Sequence, residues 1–357
     1  MKKENKLFLE ELLKVATPSG FENEGVELVS DFVKSQIPQA KEGFIDKFNN
    51  AAFWVGSNKP DALKVMLSGH IDSISMMVTD ITDEGYIKFA SAGGIDRKVL
   101  LGSRVTVISE DNRYYTGIIG KTPIHIEYDS ENYKKVDKIE NMYIDLGVES
   151  KQDILDMEIN VGSLIVYERN REIMEFGKKE DLVCAADLDD KSCIYTTFEI
   201  LRRIDYRELE KKNIQVWGVA CANEEQGIRG AKVAARRINP DISIDMDVTF
   251  DTEVDINHSK YCDVKVGKGV VIEYGGDRSR RMNKQFIDIC KKENIPYQLS
   301  TTRPGGTNTC SIQEHAFNCE TAHLALPLKN MHTPQEIVSW GDMENMIELV
   351  VKYINQL

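Results

Sequence analysis

The chain lacks any apolar run that approaches the ~20 residues needed to span a bilayer, which speaks against a transmembrane helix. Cysteine is sparse: seven in 357 residues, an odd number, scattered singly with no Cys-x-x-Cys pair. That usage argues against a disulfide framework or a thiolate zinc site and fits free thiols in a reducing cytoplasm. Gly267-Lys268-Gly269 is too short to be a phosphate loop, and neither a Walker nor a dinucleotide fingerprint is present. The Gly-x-Ser-x-Gly elbow is also missing, which counts against a serine hydrolase. Positive charge is in deficit, with 45 Lys and Arg against 58 Asp and Glu and a net charge of −13. An acidic surface attracts neither nucleic acid nor an anionic membrane, so neither is expected as a partner. There are no internal repeats, low-complexity tracts or convincing linkers. The opening segment MKKENKLFLEELLKV is basic at first, but Glu10 and Glu11 interrupt what would be the apolar core of a signal peptide. A cytoplasmic protein is the expectation.

What is present is an ordinary globular composition, 41% hydrophobic and 29% charged, long enough for one large domain or two modest ones. Leu9, Leu12 and Leu13 share one helical face within residues 5–15, and that helix ends before Thr17-Pro18. Ser19 three before Glu22 has the form of a capping box, predicting a second helix with Val26, Val29 and Val33 on its apolar face. Strand-like runs follow at 51–55 and 63–67. From about Met76 to about Arg169 the pattern changes to closely spaced β-type runs at 86–90, 104–108, 114–119, 124–128 and 163–168. Asp111-Asn112 suits a hairpin turn between two of them, and Ser150-x-x-Asp153 caps a short helix. Such spacing predicts a small β-barrel or sandwich inserted into the chain. After Leu182 an α/β rhythm returns: a helix over 194–204, a strand over 214–222, a helix over 226–237, and a strand over 242–250. A helix over 279–293, strands at 297–300 and 321–326, and a closing helix over 339–354 complete it.

The stretch Gln215–Ala231, QVWGVACANEEQGIRGA, places two adjacent carboxylates, Glu224 and Glu225, where an apolar strand gives way to a helix. In an open α/β sheet, ligands bind outside the carboxyl ends of strands. Other clusters recur where strands meet loops: His70/Asp72, Asp187/Asp189/Asp190, Asp245/Asp247/Asp251 and His332. Singly each has a plain structural reading, as a capped turn, a helix N-cap or a solvated surface pair. Together they would converge along one sheet edge. Oxygen and imidazole donors without thiolate suit zinc, cobalt or manganese in a catalytic role. His125, His258, His315 and His323 read as packing or surface residues, and the cysteines, Cys221 included, as small core residues.

These residues fall in a known order: TPSGFE at 17–22, SGHID at 68–72, GVES at 147–150, LDDK at 188–191, NEEQGIRGA at 223–231, DVT at 247–249, GKG at 267–269, PGGTN at 304–308 and MHTPQE at 331–336. Over nearly its whole length the chain resembles the TET-type metallo-aminopeptidases, which include glutamyl and deblocking aminopeptidases. The resemblance implies a three-layer α/β/α di-zinc exopeptidase-like catalytic domain, residues 1–75 and 168–357, interrupted by a β-rich dimerisation domain over 76–167. It implies two divalent ions per chain, zinc or cobalt first and manganese as a further option. His70 and Asp247 would hold one ion, Glu225 and His332 the other, and Asp189 would bridge them, with a cis peptide between Asp189 and Asp190. Glu224 falls on the general base and Asp72 on the carboxylate that orients His70. The reaction implied is removal of the N-terminal residue from peptides with a free amino terminus, and the assembly a homo-oligomer of dimers building a dodecamer.

Several positions depart from the family pattern: Ser73 and Ser75 replace Glu and Gly, Lys191 stands for Arg, Asn308 for Asp, and the Pro-Gly that often follows DVT is absent around Thr252–Asp255. None removes an expected ligand. The readings that stand beside an aminopeptidase are a related metal-dependent amidase or deacylase and an inactive binding or scaffold member. A glycosidase fits poorly, since Glu224 and Glu225 are adjacent while that chemistry places carboxylates ~5–9.5 Å apart across one bond.

Overall fold

The computed structural model describes residues 3–127, 135–169, 173–178, 181–253, 262–301 and 306–357. The chain divides into two compact units. The first comprises Met1–Asp72, Ile173–Met331 and Gln335–Leu357, and the second Ser73–Glu172 and His332–Pro334.

The first unit is built on an eight-stranded sheet. Its order is Lys41–Ile45, Ala51–Gly56, Ile214–Cys221, Leu63–His70, Ile242–Phe250, Glu320–Leu328, Val270–Tyr274, Tyr297–Thr301. The four central strands are mutually parallel, so their carboxyl ends share one edge. Alternate residues of a strand face opposite sides of the sheet. On one side, Ala51, Phe53, Val65, Leu67 and Val216 pack with Leu9, Leu12, Val29, Phe198, Phe286 and Val350. These come from the helices Lys3–Lys14, Asn23–Gln36, Leu188–Arg203, Arg280–Glu293 and Trp340–Gln356. On the other side, Ala52, Met66, Val219 and Cys221 pack with Ala231, Ala234, Ile238 and Ile312, from the helices Arg229–Ile238 and Asn308–His315. The result is the three-layer α/β/α arrangement. The mostly apolar runs at 63–67 and 214–222 follow from it, because a strand covered on both faces has little solvent side to make polar. A three-stranded antiparallel sheet of Met174–Phe176, Leu182–Ala185 and Glu336–Ser339 completes the unit.

The second unit is a closed six-stranded barrel, in which Ser75–Ile81, Tyr86–Ala92, Ile144–Asp145, Tyr114–Ile119, Arg104–Ile108 and Leu164–Tyr167 follow one another round the wall. Among the described residues, closure leaves this barrel without an edge strand. Asn112 sits at φ 60 in the hairpin between Arg104–Ile108 and Tyr114–Ile119. The Ser150 side chain accepts from the Asp153 amide to cap the helix Lys151–Asp156.

Two expectations need correction. The run at 124–128 is a one-turn helix over Ile124–Glu127 rather than a strand, while Tyr128 lies outside the described residues. Its alternating Ile124 and Ile126 are both exposed, so the period of two serves no buried face. Pro123 accepts the Ile126 N–H at 3.0 Å, a start that suits proline at a helix entrance. Nor do Ser19 and Glu22 form a capping box. Glu22 occupies the N-cap position of Asn23–Gln36 without a side-chain capping bond, and both side chains turn elsewhere. Among the described residues no helix is long and apolar enough to cross a membrane.

Candidate metal centre and active site

His70 ends its strand at the shared carboxyl edge, paired in register with Cys221. Its ring is buried. Nδ1 donates to the backbone carbonyl of Asp72 at 2.9 Å, and Nε2 faces Asp189 Oδ1 at 3.0 Å and Asp247 Oδ1 at 4.0 Å. A hydrogen bond at one ring nitrogen selects the tautomer that ligates through the other. His70, Asp189 and Asp247 each bring a ligand atom within 4.8 Å of the others, and Asp189 and Glu225 bring carboxylate oxygens equally close. His332 belongs to the short piece of the second unit. There its Nδ1 donates to the Gly94 carbonyl at 2.6 Å, so Nε2 is the ring nitrogen that a metal ion could take.

Each group is placed by a local feature. Asp247 is the sixth residue of Ile242–Phe250, two beyond Asp245 and so on the same face. Asp189 and Asp190 open the helix Leu188–Arg203, joined by a cis peptide bond. Asp189 donates its N–H to Glu336 Oε2 at 3.1 Å, and Asp190 Oδ2 accepts the His70 amide at 3.0 Å. The Asp72 carboxylate lies 3.6 Å from the His70 ring, farther than its own carbonyl. It accepts from Ser19 Oγ at 2.6 Å and from the amides of Glu224 and Glu225 at 2.8 and 3.1 Å. Asp72 therefore steadies the loop of the two glutamates as well as the imidazole.

The electrostatics are those of crowded, buried anions. Burial, with Asp189 adding to it and His70 opposing it, pushes the Asp247 carboxyl up to about 7. Burial also raises Glu224 well above the usual carboxylate range, with Asp247 and Glu225 reinforcing the shift against His70. Burial works against a charged His70, yet Asp189 and Asp72 raise it well above an ordinary histidine. Negative charge concentrated this way is costly unless protons or cations compensate it. The donor set, imidazole and carboxylate without thiolate, fits a divalent ion with catalytic rather than structural work.

Other acidic residues in the clusters serve the fold. Asp187 pairs with the buried Lys191 at 3.3 Å, and Lys191 Nζ also donates to the Val15 carbonyl at 2.8 Å. Lys191 thus ties the first helix to the Asp189 helix. Asp245 accepts from Ser68 Oγ and from the Thr309 amide and hydroxyl, with His323 3.4 Å away in the same buried network. Asp251 accepts the amides of Glu253 and Val266. His315 bonds the Ser311 carbonyl within its own helix, and His258 lies outside the described residues. Ser73, Ser75 and Asn308 are buried, while Arg303, Pro304 and Gly305 lie outside the described residues. Glu336 and Glu22 are contributors that ligand spacing did not single out. Both sit inside quoted motifs, MHTPQE and TPSGFE, and a carboxylate ending such a motif was the available signal.

Known proteins share this architecture. The lysyl aminopeptidase of Pyrococcus furiosus is 28% identical over 341 residues, covering 95% of this chain and 93% of its own length. The crystal structure of a TET aminopeptidase from a marine-sediment Thaumarchaeota archaeon superposes with a TM-score of 0.90 at 27% identity, over 100% of this chain and 98% of that one. The Pyrococcus horikoshii TET1 peptidase, which can assemble into a tetrahedron or a large octahedral shell, has the same fold, with a TM-score of 0.82 at 24% identity over 99% and 100% of the two chains. The sequence model of M42 glutamyl aminopeptidases matches residues 50–349. The chain belongs to the M42 glutamyl aminopeptidase family and is a metal-dependent aminopeptidase.

Proposed function

We propose that this aminopeptidase works with two divalent ions, zinc or cobalt first, with manganese as a further option. His70 and Asp247 would hold one, Glu225 and His332 the other, and Asp189 would be shared between them. The observation that carries the reading is the meeting of His70 Nε2, Asp189 and Asp247 within 4.8 Å. When bound, such ions supply Lewis acidity to the scissile carbonyl and acidify water. Glu224 takes the proton of the attacking water on its carboxylate and passes it to the leaving amine. That acid–base exchange is the double role expected of a positioned carboxylate. Asp72 keeps the imidazole of His70 in its ligating tautomer through the carbonyl at 2.9 Å.

On this reading residues 1–75 and 168–357 form the catalytic domain, and 76–167 the inserted domain through which chains dimerise. Dimers assemble further to a dodecamer, in keeping with the shells of the TET1 peptidase. The substrates are peptides with a free amino terminus. All seven cysteines are free thiols, which accords with work in the reducing cytoplasm.

A panel of aminoacyl p-nitroanilides and N-acylated amino acids, assayed on metal-stripped protein with and without zinc, cobalt or manganese, tests the reading. Metal-dependent release from the aminoacyl substrates alone is expected. Hydrolysis confined to the N-acyl substrates would move the assignment to a deacylase, and failure to bind metal to a scaffold.

A further inference from the structure

Three successive backbone N–H groups in the loop after Ile214–Cys221 end on two buried carboxylates. Asn223 donates to Glu22 Oε1 at 3.2 Å, Glu224 to Asp72 Oδ1 at 2.8 Å, and Glu225 to Asp72 Oδ2 at 3.1 Å. Glu22 and Asp72 are both 0% exposed. Glu22 Oε1 also accepts from Asn223 Nδ2 at 3.2 Å, and its Oε2 from Asn49 Nδ2 at 3.0 Å.

A tight turn joins the two anions. Phe21 donates its N–H to the Pro18 carbonyl at 2.8 Å, with Gly20 at φ 92 in the position of a type II turn that needs positive φ. From this turn Ser19 Oγ reaches Asp72 Oδ2 at 2.6 Å, and the Gly20 N–H reaches Glu22 Oε1 at 2.7 Å. Residues 18–22 thus clamp a loop some 200 positions away in the chain.

A strand-to-helix loop on a sheet edge can satisfy its amides with water. Here they are satisfied by carboxylates that are expensive to bury unless every lone pair is used. What this arrangement fixes is the backbone carrying two adjacent glutamates. Asn223, in the left-handed region at φ 54, sets the direction in which Glu224 leaves the loop, and Glu22 holds Asn223 by both its amide and its side chain.

We propose that Glu22 is a positioning residue for catalysis. Acting through Asn223, and supported by the Ser19-Gly20 turn, it holds the Glu224 carboxylate at its working place without touching substrate. The inference rests on the reading of Glu224 as the general base.

The test combines kinetics with hydrogen exchange. In the metal-loaded enzyme, Glu22→Ala lowers kcat about a hundredfold, the scale of a misplaced catalytic group, with KM within about threefold and metal content unchanged. Glu22→Gln keeps Oε1 as an acceptor for Asn223, and the Asn49 amide can turn over to meet its Nε2, so kcat stays within about fivefold of the wild type. In the metal-free chain, amide exchange over residues 222–227 speeds up in Glu22→Ala and stays near wild type in Glu22→Gln. The proposal is overturned if Glu22→Ala keeps kcat within about twofold, if both variants lose activity equally, or if the loss follows metal content. Should Glu22→Ala fail to fold, Asn223→Gly tolerates the positive φ and removes the side-chain bond. It is expected to lower kcat about tenfold at unchanged metal content, and unchanged kcat there overturns the proposal. The double variant Glu22→Ala/Glu224→Gln should be no slower than Glu224→Gln alone. If Glu224→Gln is itself fully active, the base reading fails, while the exchange measurement still decides whether Glu22 holds the loop.

Discussion

Glu336 Oε2 accepts the backbone N–H of Asp189 at 3.1 Å, from the strand Glu336–Ser339 to the start of the helix Leu188–Arg203. The bond fixes the main chain of the residue proposed to bridge two ions, and a ligand held from behind is positioned before metal arrives. Partners of this kind typically affect metal affinity 10- to 100-fold. Glu336→Ala should therefore bind zinc about 10- to 100-fold more weakly in a chelator competition, and Glu336→Gln, which retains a carbonyl acceptor, less so. Affinity unchanged in both would remove Glu336 from the metal centre.

Asp189 is the residue on which the two-ion reading turns. Its Oδ1 is 3.0 Å from His70 Nε2, and its carboxylate also comes within 4.8 Å of ligand atoms of both Asp247 and Glu225. Asp189→Ala should lose or scramble both ions, measured as metal per chain by elemental analysis. Retention of the wild-type stoichiometry would argue against a bridging role.

The sequence made the strand ends legible because apolar runs covered on both faces leave a strong signal, and charged residues just beyond them stand out. Asp247 lies two residues past Asp245, yet only spatial neighbours separate their roles: Asp245 is taken up by Ser68 and Thr309. Ser19 and Glu22 mimic a capping box because the spacing of a helix start coincides with the spacing of the turn that reaches Asp72 and Asn223. The edge strand Lys41–Ile45 was not legible, having a single buried side chain, Phe44. The helix Tyr206–Lys212 buries only Leu209, although Asp205 three before Glu208 offered a start signal. Long-range hydrogen bonds such as Glu22 to Asn223 leave no periodicity to read.

Asp342, in the first turn of the closing helix, accepts the amides of Gly267 and Gly269 at 2.6 and 2.7 Å. Burial nevertheless outweighs these bonds and pushes its carboxyl up to about 6. A carboxyl with a raised folded pKa contributes stability that is present below its unfolded value of 3.8 and is lost as pH rises through about 6. The full difference corresponds to about 3 kcal/mol. The stability of wild type minus that of Asp342→Asn, from urea midpoints, should fall between pH 4 and pH 6.5 and level off above. A difference that is flat or rises over this range would contradict the assignment.

Glu224 is the sharpest test of the chemistry. Its amide is fixed by Asp72, and its carbonyl accepts from Gly227 and Ile228 at 3.0 and 2.9 Å. Its backbone is therefore anchored independently of what its carboxylate does. Replacing the carboxylate by an amide removes the proton acceptor and little else. Glu224→Gln should fold with the wild-type melting temperature and retain wild-type metal content, while kcat falls about 10²- to 10⁴-fold, the usual worth of a positioned acid–base group. Adjacent Glu225→Gln should instead lose metal, because that carboxylate is proposed as a ligand. If the two variants behaved alike, the division of labour between the neighbouring glutamates would be wrong. If Glu224→Gln hydrolysed substrate normally, the proton would have to travel by another group.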